Sequence, residues 1–295
     1  MENMGENKRL KSGRIYHVVS TICFLFIIII MVYPMWYVIM GSFMDNAQFA
    51  TDRFNLWPNP FTLQAYRYMT STQDFLTPYK NTLIVVTVGT LISLITTSLA
   101  GFALSKKSLP GRRFIMLMIV ITMVFSGGII PTYILVSQLK LVNTLWALFI
   151  PGMINTFYMI IMRTHFASLP DSLEESAKID GAGYFTIFFR IVLPLSKPIL
   201  ATISLFYIVD RWNDMSGPLY FISDSKNATL QLVIYRLLSK QSRELVSTVS
   251  AIEGTSIKEI QRFASVVMSS APVLLVYPFL QKYFVKGVMI GGVKG

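Results

Sequence analysis

Val18–Phe43 carries no charged residue. It is one of several apolar runs long enough to cross a bilayer, which takes roughly 20 residues of helix. Inside hydrocarbon every backbone N–H and C=O must be satisfied by protein, so runs of this kind fold as helices. The chain of 295 residues is 53% hydrophobic and only 14% charged, against about 25% charged in soluble domains. No charged, patterned block exceeds about 50 residues, the low end for a soluble domain. The fold class that remains is an all-α polytopic membrane protein, and a large soluble core is excluded.

The net charge of +11 raises the question of nucleic acid. The placement of that charge argues against it. Lys8, Arg9, Lys11 and Arg14 precede the first run, and Lys106, Lys107, Arg112 and Arg113 flank Pro110-Gly111. Short basic loops beside apolar spans are the positive-inside pattern. No basic stripe with interleaved aromatics is present, so no nucleic acid partner is expected. Cys23, the only cysteine, lies inside the first run and permits neither an intrachain disulfide nor a cysteine metal site. His17 and His165 stand near span ends with no second ligand at metal spacing, and they read as interfacial polar residues.

Taken in order, the runs predict six transmembrane helices with both termini cytoplasmic. Residues 1–17 form a cytoplasmic tail and 18–280 the membrane domain. The first run is too long for a signal-peptide core and lacks a small-residue cleavage site, so it reads as an uncleaved helix. Pro34 is expected to kink it or end its regular part. Tyr33, Trp36 and Tyr37 suit an outer aromatic belt, with a substrate-facing role as the other reading. After an external loop, 44–80, the second span is Thr82–Ser105, where Gly101-x-x-x-Ser105 offers small residues for close helix packing. The third starts at Phe114 and breaks at Ser126-Gly127-Gly128 and Pro131. Two readings stand there, a helix end followed by a short external helix through Ser137, or a break lining a cavity. The fourth span is Thr144–Met162, with Pro151-Gly152 inside it. The fifth, Pro198–Val209, runs into Asp210-Arg211-Trp212-Asn213-Asp214, whose charges belong at an interface or in a polar cavity. An external segment, 210–262, with a helical stretch at Leu230–Leu238, leads to a sixth span, Phe263–Leu280, and a cytoplasmic tail, 281–295.

The segment 163–197 is a charged island between apolar spans. Pro170 suits a first helical turn, Ser168 or Asp171 can cap it, and Asp171, Glu174 and Glu175 complement the helix dipole. Leu173, Ala177 and Ile179 supply a small apolar face, Gly181 turns the chain, and a second short helix follows at about Tyr184–Ile191, closed by Leu193-Pro194. Composition alone leaves two readings of this helical hairpin. It is either a docking element with exposed aromatics or a loop folded against its own membrane domain.

The run Glu175-Ser176-Ala177, three residues, Gly181, nine residues, Ile191-Val192-Leu193-Pro194 resembles the EAA motif of bacterial ABC importer permeases. Ser176 replaces the middle alanine. Ala177-Lys178-Ile179-Asp180-Gly181-Ala182, Trp212-Asn213 and the ending Tyr283-Phe284-Val285-x-Gly287, Gly291-x-x-Lys294-Gly295 resemble the carbohydrate-uptake branch and its smaller permease subunit. Ser126-Gly127-Gly128-x-x-Pro131 is similar to permeases associated with complex oligosaccharides. The resemblance implies a type I ABC importer permease fold in a bacterial cytoplasmic membrane. It implies a coupling helix whose contacts to an ATPase subunit come from Glu175, Ser176, Ala177, Asp180, Gly181, Ala182, Leu193 and Pro194. The implied partners are a second homologous permease subunit in a heterodimer, two ATP-binding cassette subunits that hold the ATP and Mg, an extracellular solute-binding protein, the lipid bilayer and a sugar substrate. This chain itself carries no G-x-x-x-x-G-K-[ST] phosphate loop and is expected to bind no cofactor or metal and to hold no catalytic residue. Tyr33, Trp36, Trp212 and Asn213 are the candidates for a substrate path. Because the coupling pattern is shared, permeases for polyamines, phosphate or peptides form the alternative. A membrane-embedded enzyme would need clustered catalytic residues in the spans, and a channel or secondary carrier would need charges in span interiors. Neither pattern stands out.

Overall fold

The computed structural model describes residues 3–52, 56–244 and 259–275. Every regular element among them is helical. The described residues fall into two units, one drawn from 1–69 and 242–268, the other from 70–241 and 269–295.

In the first unit the leading apolar run is a single helix, Asn3–Gly41, of which Tyr16–Gly41 is long and apolar enough to cross a membrane. Pro34 lies inside it and does not end it. A proline removes one ladder hydrogen bond, and a long apolar helix tolerates that loss. Past its end, Thr62 N–H donates to the Phe43 carbonyl at 2.8 Å. The Phe43 ring stacks on Phe61 and Tyr66, and Phe263, in a helix over 259–275, meets Tyr37 and Phe49 edge-on.

The second unit is built on one helix, Gln73–Ser105, which starts well before the predicted Thr82 and carries Pro78 in its first turns. At about 1.5 Å per residue it is roughly 50 Å long. It packs along Thr156–Ala167 and Lys197–Asn213. The predicted small-residue contact is present: a Cβ placed on Gly101 would come within 3.2 Å of the Arg163 backbone nitrogen and 3.3 Å of Met162. Small hydroxylated side chains, Ser93, Thr97 and Ser98, are buried on the same helix and let its neighbours approach.

Each end of this helix is tied. Near its start the Asn81 amide donates to the Lys226 and Ala228 carbonyls at 2.8 and 2.9 Å. The Leu230 N–H donates to Thr82 Oγ1 at 2.8 Å, opening the helix Leu230–Glu244. At its finish the Leu104 carbonyl accepts from Arg112 Nε at 2.9 Å and from Arg163 Nε at 3.2 Å. Two guanidinium groups thus sit at the negative end of the helix dipole.

The other predicted spans are broken. Arg112–Val124 and Ile129–Gln138 meet at 114° across the glycine pair, so a helix ends there and a second one follows. The predicted fourth span is not continuous. A single turn, Trp146–Phe149, is followed by irregular chain through Pro151-Gly152, and the helix restarts at Thr156–Ala167. Asn155 makes the restart possible, its side-chain oxygen accepting from the Phe157 and Tyr158 N–H groups at 3.0 and 3.3 Å. Tyr184–Leu195 and Lys197–Asn213 meet at 84°. Among the described residues two helices are each long and apolar enough to cross a membrane, or up to four if each bent pair counts as one span. The sixth predicted span is helical as far as the described residues go, to 275. The tail 281–295, with Tyr283, Phe284, Val285, Gly287, Gly291, Lys294 and Gly295, lies outside them.

Candidate functional site

The charged island folds as the predicted helical hairpin. Its first helix is Asp171–Ile179, and Pro170 occupies the capping position. Neither proposed side-chain cap forms. The Ser168 hydroxyl turns back to the His165 carbonyl at 2.7 Å, and no side chain bonds the first N–H groups. The end of the helix matches its sequence closely. Gly181 takes φ +80°, its N–H donates to the Lys178 carbonyl at 3.0 Å, and the Ala182 N–H donates to the Ala177 carbonyl at 2.9 Å. This is a Schellman turn, which needs a left-handed residue at the glycine. The second arm, Tyr184–Leu195, contains a π-turn over Phe188–Val192, in which the Leu193 N–H reaches back five residues to the Phe188 carbonyl. Pro194 therefore lies inside this arm and does not close it. The wider turn relieves the crowding that a proline ring imposes on the carbonyl four residues earlier.

The hairpin has two sides. Ala177, Ile187, Phe188 and Val192 are buried in a cluster with Phe102, Met162, Phe166, Ile203 and Tyr207, and Ala182 and Leu193 pack against it. Glu175, Ser176, Asp180, Gly181 and Pro194 are exposed. So the predicted coupling residues divide, Ala177, Ala182 and Leu193 fastening the hairpin while the others face outward. The predicted apolar face divides too. Ala177 points in, but Ile179 is 87% exposed, with Phe185 at 74% and Phe189 at 56%. Residues 177 and 179 are two apart on a helix and cannot share a face.

Sequence reasoning gave Glu174 only a role toward the helix dipole and left it out of the coupling residues. Its carboxylate, on the inward edge of the helix, is bonded by Lys106 from the end of Gln73–Ser105, and by Lys178 one turn on at 2.9 Å. The Lys106 ammonium also lies 4.3 Å from the centre of the Phe102 ring. Burial pushes the Glu174 carboxyl up, but hydrogen bonds from the two lysines, reinforced by their charges, hold it below the usual carboxylate value. Lys178 is raised in turn, chiefly by its bond to Glu174. Nothing in the local sequence announces a partner 68 residues away.

A second feature lies where Lys197–Asn213 ends. The break at Pro151-Gly152 opens beside it, and a cleft of about 470 Å³ is lined there by Asn155, Tyr207, Asp210, Arg211, Asn213 and Asp214, among others. The sequence placed these charges at an interface or in a polar cavity; they line a cavity. Tyr158 OH donates to Asp210 at 2.7 Å, and the Tyr207 hydroxyl pairs with Thr97 at 2.7 Å and accepts from the Asn155 N–H at 3.0 Å. Arg211 donates to the Leu148 carbonyl at 2.9 Å and to Ser93 Oγ at 2.7 Å. Of the substrate-path candidates, Asn213 lines this cleft. Trp212 does not, because it is 4% exposed and its indole N–H donates to the Ser269 carbonyl at 2.9 Å. One turn of helix separates faces by 100° per residue, so neighbours 212 and 213 look in different directions. In the other unit, Tyr33 is exposed and Trp36 donates to the Leu56 carbonyl at 3.2 Å beside the Trp57 ring.

Comparison with known proteins places this geometry. The family model of the binding-protein-dependent transport system inner membrane component matches residues 9–290. The chain is 40% identical over 291 residues to Protein LplC of Bacillus subtilis, covering 97% of each. It is also 40% identical over 279 residues to the polygalacturonan/rhamnogalacturonan transport system permease protein YtcP of Bacillus subtilis, covering 90% of this chain and 94% of that one. Among solved structures, a chain of a bacterial ABC transporter involved in the import of the acidic polysaccharide alginate superposes with a TM-score of 0.82 at 30% identity, over 92% of this chain and 98% of that one. With a family match over nearly its whole length and relatives at 40% identity, the chain belongs to the binding-protein-dependent transport system inner membrane components, the permeases of ABC importers.

Proposed function

We propose that the chain is one of two permease subunits of an ATP-driven importer of a sugar, an oligosaccharide of the kind cut from the polysaccharides named for YtcP and for the alginate transporter. What supports the reading most directly is that the Glu175-to-Pro194 pattern folds as a hairpin fastened on one side and bare on the other. Burying an isoleucine or phenylalanine contributes about 1.5–3 kcal/mol, so Ile179, Phe185 and Phe189 are the main source of docking energy. An exposed ion pair from Glu175 adds roughly 0.2–1 kcal/mol, and its weight lies in register and partner choice.

In this reading the hairpin sits in a groove of a cytoplasmic ATPase subunit, which holds the ATP and Mg. Closure of two such subunits rocks this chain and its homologous partner between inward-facing and outward-facing states. An extracellular binding protein delivers the sugar. The chain crosses the membrane six times, with both termini and the segment 163–197 in the cytoplasm and the segment 210–262 outside. The cleft beside Asp210, Asn213 and Asp214 forms part of the sugar path, its carboxylates and amides suited to hydroxyl groups.

The test is uptake into vesicles containing the full complex. Glu175→Lys should leave the chain in the membrane and lower ATP-driven uptake below about a tenth, as a like charge meets the ATPase groove. Wild-type uptake by this variant would sink the coupling role. The same vesicles should accumulate labelled oligosaccharide and not phosphate, polyamine or peptide.

A further inference from the structure

We propose that Lys106 and Glu174 form a strap that makes the coupling helix Asp171–Ile179 and the cytoplasmic end of Gln73–Ser105 move as one body. The proposal rests on the coupling role of the hairpin given above. A coupling helix that shifted alone, hinging at Ser168-Leu169-Pro170 and Gly181, would dissipate its motion in its own loops. Something must join it to a helix that crosses the membrane.

Two contacts do so. Ala177 is buried in one cluster with Phe102, on the last turn of Gln73–Ser105. Glu174, one turn earlier on the coupling helix, takes the Lys106 ammonium, from the residue that ends the long helix. The pair is enclosed, with side chains only 19% and 17% exposed. Lys178 closes the other side of the carboxylate, and Lys106 also rests on the Phe102 ring. A nearby pair shows the contrast: Lys107 and Asp171 stand 4.0 Å apart with side chains 86% and 83% exposed. An ion pair in the open is weak and replaceable. An enclosed one is costly to break: without Glu174 the Lys106 ammonium keeps the Phe102 ring but no counter-charge at that site, and without Lys106 the Glu174 carboxylate keeps only Lys178, on its own helix. The strap joins the coupling helix to the helix that the rest of this unit packs on, and a small displacement at the hairpin then reaches the cleft at the other end of Lys197–Asn213.

The experiment uses the assembled importer. Lys106→Glu and Glu174→Lys should each leave the ATPase subunits bound and basal hydrolysis intact, while uptake and the stimulation of hydrolysis by the loaded binding protein fall at least about tenfold. The double variant, with charges exchanged, should recover both to within about threefold. A merely structural contact would lower assembly and basal hydrolysis along with transport. Single variants that transport normally, or a well-assembled double variant that stays uncoupled, would overturn the strap. A second arm does not depend on folding of charge variants. With Cys23→Ala as background, Lys106→Cys and Glu174→Cys are joined by a short bismaleimide. Transport, lowered in the unlinked cysteine pair, should rise on linking; no gain, or arrest by the link, would show that the two elements do not move as one. Glu175→Lys run alongside distinguishes the two levels. Its normal transport would remove the coupling role and the strap with it, whereas its failure beside unaffected strap variants would remove the strap alone.

Discussion

Glu174 and Glu175 are adjacent acids with opposite surroundings. Glu175 is exposed, and its place in a long spaced motif made it visible in the sequence. Glu174 is half-buried between two lysines, one of them far away in the chain, and no spacing rule exposes a tertiary pair. The difference has a pH signature. Glu174 has a folded-state value below that of the unfolded chain, so its contribution is present above the ordinary glutamate range and is lost as pH falls through the depressed value. Hydrogen-exchange protection of Asp171–Ile179 should therefore stay level from neutral pH down to about pH 5 and decline only below the unfolded value near 4.3. A decline beginning at pH 6 would contradict the assignment. Gly181 offers a second residue-scale test. A Cβ there would meet nothing within 4 Å, so the penalty for alanine is backbone strain alone. Gly181→Ala should weaken hairpin protection by about 1–2 kcal/mol, and Gly181→Asn by less, since asparagine tolerates the left-handed region better. Trp212 shows the limit of residue-type reasoning. An aromatic at a span end suited either an interface or a sugar, and it is a buried packing residue because of the helix that covers it.

Among the elements, the glycine pair and the Schellman glycine were legible because each breaks or turns a helix by backbone chemistry that acts locally. The small-residue spacing at Gly101 was legible for the same reason. The interruption of the fourth span was not, since Pro151-Gly152 in an apolar run is compatible with a bent helix until Asn155 is seen to restart the chain. The same physics predicts how the elements respond. A larger side chain at Gly101 must push Thr156–Ala167 away at Arg163 and Met162, and overpacking of this kind costs about 1–3 kcal/mol. Gly101→Leu should lower the melting temperature of the purified chain by several degrees in a fluorescence assay, whereas Leu91→Ala, on an exposed face of the same helix, should leave it nearly unchanged. On the hairpin, Ile179→Asp removes a fully presented apolar side chain and adds charge. Losing about 2 kcal/mol should weaken ATPase binding roughly 30-fold without altering the melting temperature, because Ile179 touches little of its own fold. A drop in both would mean that Ile179 packs internally.

At the scale of the molecule, apolar runs and basic loops pointed to six spans, while the described helices give two by length and at most four with bent pairs. A run-length rule does not see helix breaks such as those at Gly127-Gly128 and Pro151-Gly152, and the end of the sixth run lies outside the described residues. The long helix nevertheless fixes a direction. Asn81 holds the segment around Lys226 at one end and Leu104 holds Arg112 and Arg163 at the other, and the helical rise from residue 81 to residue 104 is about 35 Å. That exceeds the hydrocarbon thickness of roughly 30 Å, so the loop 106–113 and the turn Ser225–Asn227 belong on opposite sides of the membrane. In the proposed orientation the basic loop, with Lys106, Lys107, Arg112 and Arg113, takes the cytoplasmic side. Ser108 and Ser225 are both exposed and suit single-cysteine reporters in a Cys23→Ala background. In right-side-out vesicles an impermeant maleimide should label Ser225→Cys and spare Ser108→Cys until the membrane is opened. The reverse pattern would invert the topology and move the hairpin out of reach of any cytoplasmic ATPase. Labelling of both from outside would mean that Gln73–Ser105 does not cross at all.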